Sequence, residues 1–179
     1  MAKVAIVYHS GSGRTALVAE RVLAGLQKVE GIDTLYLKAD EATQNLDRLN
    51  DVDTIVLGTP TYMGDVAVPI KVFMEATGGI WFSQSWKDKL AAGFTNSLGL
   101  SGDKVHTLTT LSVFAAQHSM IWISQGLMAQ ADQNRLSSWL GLATQTDYQA
   151  PSPPAVDLET AEKFGQRIGE VTRRWVRGR

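Results

Sequence analysis

The residue types with the clearest chemistry are crowded into one stretch, Val4-Ala5-Ile6-Val7-Tyr8-His9-Ser10-Gly11-Ser12-Gly13-Arg14-Thr15. An apolar, β-branched run ends in a loop of hydroxyls and glycines, and a helical pattern follows at once (Leu17, Val18, Val22, Leu26 and Val29 on one face). A strand, a tight loop and a helix N-terminus together can hold a phosphate. The first helical turn has unpaired N–H groups and the positive end of the macrodipole. Gly11 and Gly13 let the backbone wrap an anion, while Ser10, Ser12 and Thr15 add donors without formal charge. A kinase-type P-loop ends in Gly-Lys-Ser/Thr, and position 14 is Arg. A phosphatase loop with a cysteine nucleophile is excluded, because the chain has no cysteine. Gly11-x-Gly13-x-x-Ala16 fits the looser G-x-G-x-x-A dinucleotide pattern. That pattern wants an acidic residue at the end of the second strand, where Lys38 stands and Asp40 lies past it. The plain alternative is a strand-to-helix turn with no ligand.

Two further loops carry unusual residues. Gly58-Thr59-Pro60-Thr61-Tyr62-Met63-Gly64-Asp65 follows an apolar run. Pro60 stiffens its exit, Gly64 permits a tight turn, and Tyr62 and Met63 offer flat or soft apolar surface for a ring. Thr95-Asn96-Ser97-Leu98-Gly99-Leu100-Ser101-Gly102 is small and rich in donors. Ordinary surface turns are the alternative for both. Trp81, Phe82 and Trp86 form an aromatic group after Gly78-Gly79, suited to a stacking wall, to core or to a subunit interface. His118 either faces a ligand or caps a helix; His9 lies beside the phosphate loop, and His106 reads as surface. Arg173, Arg174, Arg177 and Arg179 read as a solvated helix end. No Ser-His-Asp order or metal-ligand spacing supports a hydrolase.

The elements that must position these loops follow from hydrophobic period. Strands are expected at 3–8, 32–38, 53–59, 90–97 and 120–124. Helices are expected at 13–29, 66–77 (stopped by Gly78-Gly79), 104–118 and from Asp157, its N-cap, to the C-terminus. Residues 39–52 read as a short helix or loop, and 125–156 as the least regular region. Alternating strands and helices imply an α/β fold: a doubly wound, five-stranded parallel sheet of order 2-1-3-4-5 with helices on both faces. Its ligand site lies outside the carboxyl ends of the strands, where the three loops converge. At 179 residues, one domain spanning 1–179 is expected. The net charge is −1, from 17 basic and 18 acidic side chains, so nothing asks for nucleic acid or an anionic membrane. There is no leader and no long apolar run, so the reading is soluble, without membrane insertion, and cytoplasmic. A phosphoacceptor receiver domain shares this fold but needs an Asp ending the third strand; Gly58-Thr59 stand there.

Ser10-x-Ser12-Gly13-x-Thr15 resembles the flavodoxin FMN-phosphate loop, T/S-x-T/S-G-x-T. Over nearly its whole length the chain is similar to the flavodoxin-fold NAD(P)H:quinone oxidoreductases of the tryptophan-repressor-binding-protein type. The carrying segments are residues 1–10, Gly58-Thr59-Pro60-Thr61, Thr77-Gly78-Gly79-Ile80-Trp81, Phe94-Thr95-Asn96-Ser97 and Gln117-His118-Ser119-Met120. The resemblance implies a flavodoxin-like FMN-binding domain, two-electron ping-pong reduction of a quinone-type acceptor by NADH or NADPH, and a homodimer or homotetramer. On that reading Ser10, Gly11, Ser12, Gly13, Arg14 and Thr15 hold the phosphate. Pro60, Thr61, Tyr62, Met63 and Gly64 hold the ring from one side; Asn96, Ser97, Leu98, Gly99 and Gly102 hold it from the other. His118 is a further candidate contact, and Trp81 shapes the acceptor pocket. The chain departs from the family pattern at Ser12, where an aromatic is usual, at Tyr62-Met63 in place of Arg-Phe, and at Leu98 and Leu100 in a loop usually richer in glycine. The alternatives are a flavodoxin-type electron carrier, an NAD(P)H-dependent FMN reductase, and a flavin-free interaction module.

Overall fold

The computed structural model describes residues 1–178. β1 (Ala2–Tyr8), β2 (Ile32–Lys38), β3 (Thr54–Tyr62) and β5 (Leu90–Ser97) are parallel and lie in the order β2-β1-β3-β5. β1, β3 and β5 are buried along nearly their whole length, as a sheet covered on both faces requires, while β2 at the edge buries only Leu37. Side chains alternate through the sheet. Val4, Ile6, Val56 and Phe94 pack with α1 (Arg14–Gln27) and α6 (Ala155–Arg177). Ala5, Val7, Ile55 and Leu57 pack with α3 (Val68–Ala76) and α5 (Lys104–Gln117) on the other face. α1 and α6 pack backbone to backbone. A Cβ on Gly25 would lie 2.0 Å from the Glu162 carbonyl, and one on Gly165 would lie 2.1 Å from that of Val22.

The fold is the expected doubly wound α/β sheet, but its fifth position is shared. β6 (Ile121–Trp122) pairs with Leu90–Ala91 at the start of β5, and β7 (Leu142–Gln145) pairs with Phe94–Ser97 at its end. The expected strand at 120–124 therefore contributes two residues, and the chain leaves the sheet and returns as a strand the sequence did not announce. Leu142-Ala143-Thr144-Gln145 lacks a β-branched or aromatic run; its place is set by pairing with β5.

Two local expectations are corrected. Gly78-Gly79 does not end the helical stretch: α3 stops at Ala76, and α4 (Gly78–Ser83) starts at once with Thr77 between them. Asp157 is not an N-cap. α6 begins at Ala155 after Pro154, and the Asp157 carboxylate, 3% exposed, accepts from both Arg135 and the Gln145 backbone N–H. Residues 39–52 hold both a helix, α2 (Ala39–Gln44), and a 3-10 turn at Leu46–Leu49. Arg179, grouped with the solvated helix end, lies outside the described residues.

Candidate functional site

The carboxyl ends of β1, β3 and β5 surround a cavity of about 620 Å³, lined by Ser12, Arg14, Thr15, Pro60, Thr61, Tyr62, Met63, Gly64, Asn96, Ser97, Leu98, Gly99 and Gly102. This volume is in the range of about 300–1,000 Å³ usual for cofactor-sized ligands.

At the end of β1 the chain turns into α1 through Gly13, whose φ is 86°. Ser10 Oγ accepts from the Ala16 N–H at 3.1 Å and closes the loop on itself. The remaining N–H groups of the first turn have no acceptor inside the helix. Thr15 is 2% exposed and lines the cavity, and among the described residues its hydroxyl has no hydrogen bond within the chain. A donor open to the cavity in that position fits an anion bound at the helix N-terminus. Arg14 spends two donors on the next loop, Nε to Ala150 O at 3.0 Å and Nη2 to Tyr148 O at 2.8 Å.

β3 continues past its expected end into a hairpin with β4 (Asp65–Val66), in which Tyr62 pairs with Asp65. Met63 and Gly64 form the two-residue loop, both left-handed, at φ 49° and 86°. That is a type I′ turn, which glycine enters freely and methionine only with strain. The Met63 side chain is nonetheless fully exposed at the cavity wall. A Cβ on Gly11 would lie 2.5 Å from Tyr62 Oη, so the tyrosine ring reaches the phosphate loop. Beneath it Thr61 Oγ1 bonds the hydroxyls of Thr95 and Thr107, each at 2.8 Å, which fixes the base of the hairpin to β5 and α5.

On β5, Asn96 Oδ1 accepts from Thr144 (2.9 Å) and Thr146 (3.0 Å), both brought by β7 and the residue after it. Among the described residues its amide nitrogen has no hydrogen bond within the chain, and Asn96 lines the cavity. The following loop is gripped from below by Lys104 and Gln145, which the sequence reading did not select. Lys104 opens α5, where a cation opposes the helix dipole. That mismatch was the available signal; Gln145, Arg135 and Tyr148 had none, because their roles depend on the β6–β7 crossover.

The cavity gathers thirteen residues from the three loops, but not all the candidates. Ser10 and Gly13 line a neighbouring cavity of about 410 Å³ with His9, Lys38 and Asp40. There burial pushes the His9 imidazole below its ordinary pKa, against the pull of Asp40. Gly11 lies under Tyr62. His118 is not brought to the cavity. It is 1% exposed, bonds Thr77 Oγ1 through Nε2 at 3.0 Å, and packs against Trp86 and Phe114. It lies near the start of β5, where the Asp88 N–H bonds Ser119 O. Six strand residues, Leu90–Thr95, separate that edge from the cavity-lining Asn96, roughly 20 Å. Trp81 sits on α4 at the same far edge and does not line the cavity of its own chain. Of its aromatic group, Trp86 is core at 0% exposure while Phe82 is 85% exposed. His106 pairs with Asp65 on the surface at 3.7 Å.

A phosphate-sized anion at Thr15, a flat ring between the hairpin and the β5 loop, and hydrogen-bond donors at the ring edge all fit this lining. Among the described residues, no group of His, Cys, Asp or Glu is placed to hold a metal ion, and no helix is long and apolar enough to cross a membrane.

Known proteins agree with this geometry. The family described as NADPH-dependent FMN reductase matches residues 2–134. The chain is 36% identical to the flavodoxin FldP of Pseudomonas aeruginosa over 181 positions, which cover 96% of this chain and 97% of that one. It also resembles the crystal structure of a WrbA-like flavodoxin from Agrobacterium tumefaciens (33% identity, TM-score 0.79, 97% and 99% of the two chains). A flavodoxin from the domain Archaea shares the fold at 20% identity and a TM-score of 0.71, over 96% of this chain and 99% of that one. With three-quarters of its length matched, the chain belongs to the flavodoxin-like NADPH-dependent FMN reductase family.

Proposed function

We propose that the protein is an FMN-dependent NAD(P)H:quinone oxidoreductase, of the tryptophan-repressor-binding-protein type, built as one domain over 1–179. The observation that carries this reading is the cavity lining. It runs from the phosphate loop to the exposed Tyr62–Met63 wall and includes one cation, Arg14, and no carboxylate. An open mouth without a carboxylate admits both an anionic nicotinamide donor and an apolar quinone. FMN held by this lining would supply two-electron chemistry, linking hydride donation by NADH or NADPH to reduction of a quinone in ping-pong order.

The chain's residues supply position and electrostatics. Thr15, Ser12 and the first-turn N–H groups of α1 hold the phosphate, with Ser10, Gly11 and Gly13 shaping the loop. Arg14 adds positive charge and ties the loop to residues 148–150. Tyr62 and Met63 give the ring an apolar face, Pro60, Thr61 and Gly64 fix the hairpin, and Asn96, Ser97, Leu98, Gly99 and Gly102 meet the polar edge. Trp81 and Phe82, exposed on the far edge, belong to an interface of a homodimer or homotetramer, where Trp81 would meet the acceptor site of another copy. Dependence on reduced nicotinamide fits action in the cytoplasm.

A second reading has one observation in its favour: the relatives named above at 36% and 33% identity both carry the name flavodoxin, so a one-electron carrier is the alternative. Carriers steer their partners with strongly charged faces, and a net charge of −1 offers little of that. Steady-state assays separate the two. The oxidoreductase, loaded with FMN and given no other protein, turns over NADPH or NADH in proportion to added quinone. A carrier shows no turnover without a separate reductase.

A further inference from the structure

Four successive carbonyl groups, those of residues 98–101, are held from the same side. Gln145 Nε2 donates to Leu98 O at 2.9 Å. The Lys104 ammonium donates to Gly99 O at 2.5 Å, Leu100 O at 2.9 Å and Ser101 O at 3.3 Å. In a trans peptide each C=O points opposite to the N–H of the next residue. The N–H groups of residues 99–102 are therefore turned away from Lys104. None of these four N–H groups has a hydrogen bond within the chain among the described residues. Gly99 and Gly102 line the cavity. A row of like-facing backbone N–H groups is a site for an anion or for clustered acceptor atoms.

Lys104 is an unlikely residue to find there for stability alone. It is 3% exposed and, among the described residues, has no carboxylate in direct contact. It stands at the positive end of α5, where the dipole opposes it. Asp157 on α6 attracts it, and Arg135, between β6 and β7, repels it. Asp147 is reached only through Gln145, and His106, one turn on, is paired outward with Asp65. Burial pushes the ammonium down to a pKa of about 8. A buried cation without a partner carboxylate is costly; what it obtains here is three backbone carbonyls and the shape of the loop.

We propose that Lys104 is a positioning residue whose ammonium folds residues 98–102 into a wall of backbone donors for the acceptor-rich, electron-gaining edge of the bound flavin ring. The identity of the ring rests on the function proposed above; the clamp itself does not. Donors backed by a positive charge favour the ring more as it gains negative charge. The wall thus strengthens binding of the reduced ring beyond that of the oxidised one.

The test compares wild type, Lys104→Met and Lys104→Arg. In Lys104→Met the affinity for FMN at pH 7 falls at least tenfold, and that for riboflavin, which lacks the phosphate, falls by the same factor. Reduced-form affinity falls about tenfold further, which lowers the two-electron midpoint potential by about 30 mV. Lys104→Arg keeps the charge and restores part of each. Wild-type affinity declines above pH 8, and the Met variant shows no such decline. In the cofactor-free proteins, ¹⁵N relaxation of residues 98–102 reports an ordered loop in wild type at pH 7, a mobile one above pH 8, and a mobile one in Lys104→Met at both. Unchanged loop order, or a wild-type pH profile that persists in the Met variant, overturns the proposal. If wild type binds neither FMN nor riboflavin, the flavin reading falls, and the pH titration of the wild-type loop still decides whether Lys104 is its clamp.

Discussion

Thr15 and Arg14 are neighbours with different tasks. Thr15 is a buried residue on the cavity wall, and among the described residues its hydroxyl has no hydrogen bond within the chain, so Thr15→Val removes a donor from the phosphate at a cost of about 1–3 kcal/mol in FMN affinity. Two of Arg14's donors are already committed to the carbonyls of residues 148 and 150. Its charge also acts across screened, partly exposed space, so Arg14→Ala weakens FMN by less. Calorimetric titration of FMN into the two variants gives the order; the reverse order would mean that the anion is held by charge rather than by buried donors. Met63 is a second residue at which function and stability part. Glycine in its left-handed position relieves strain, so Met63→Gly raises unfolding stability by up to about 1 kcal/mol while weakening FMN. Urea unfolding and titration on one preparation read both. The hydroxyl and glycine spacing of the phosphate loop was legible in the sequence because it is local. Lys104, Gln145 and Tyr148 were not, because nothing nearby in the chain says which carbonyls they meet.

Among the elements, those with long apolar periods were readable to within a few residues: β2 and β5 stand where expected, and α1, α3 and α5 differ only at their ends. What escaped depended on partners. β7 is a strand because β5 offers it an unpaired edge beyond β6. α4 is a helix despite two glycines, and Thr77, which precedes it, bonds both Met74 O and His118. His118 belongs to this scale, as a packing residue between α3, α5 and Trp86. Burial lowers its pKa below 6.5. The native ring stays neutral where the unfolded one takes up a proton, so the unfolded state binds more protons below about pH 6.5. The stability this gives is present above pH 6.5 and declines as pH falls toward the native pKa, with a slope of at most about 1.4 kcal/mol per pH unit. Urea midpoints between pH 7.5 and 5 are expected to fall in wild type and to stay flatter in His118→Gln. Equal slopes would assign the acid sensitivity to other groups.

For the molecule as a whole, the sheet divides the work between its two edges. The carboxyl edge carries the cavity; the opposite edge presents Trp81 and the 85% exposed Phe82 on a short helix. Sedimentation at micromolar concentration is expected to show a dimer or tetramer, and Trp81→Ser with Phe82→Ser to shift it toward monomer. A wild-type monomer would leave the acceptor site complete within one chain and remove Trp81 from it. The doubly wound order was evident from the alternation of strands and helices; the proposed assembly of copies has no signature in a single chain's periodicity.

The most direct test of the central claim is rapid mixing under exclusion of oxygen. NADPH or NADH mixed with the FMN-loaded protein should bleach the visible flavin absorbance without any second protein. Quinone mixed with the bleached protein should restore that absorbance in one two-electron step, and the two rates should account for steady-state turnover. If reduced nicotinamide fails to bleach the bound flavin while a separate reductase succeeds, the protein is an electron carrier and the oxidoreductase account is wrong.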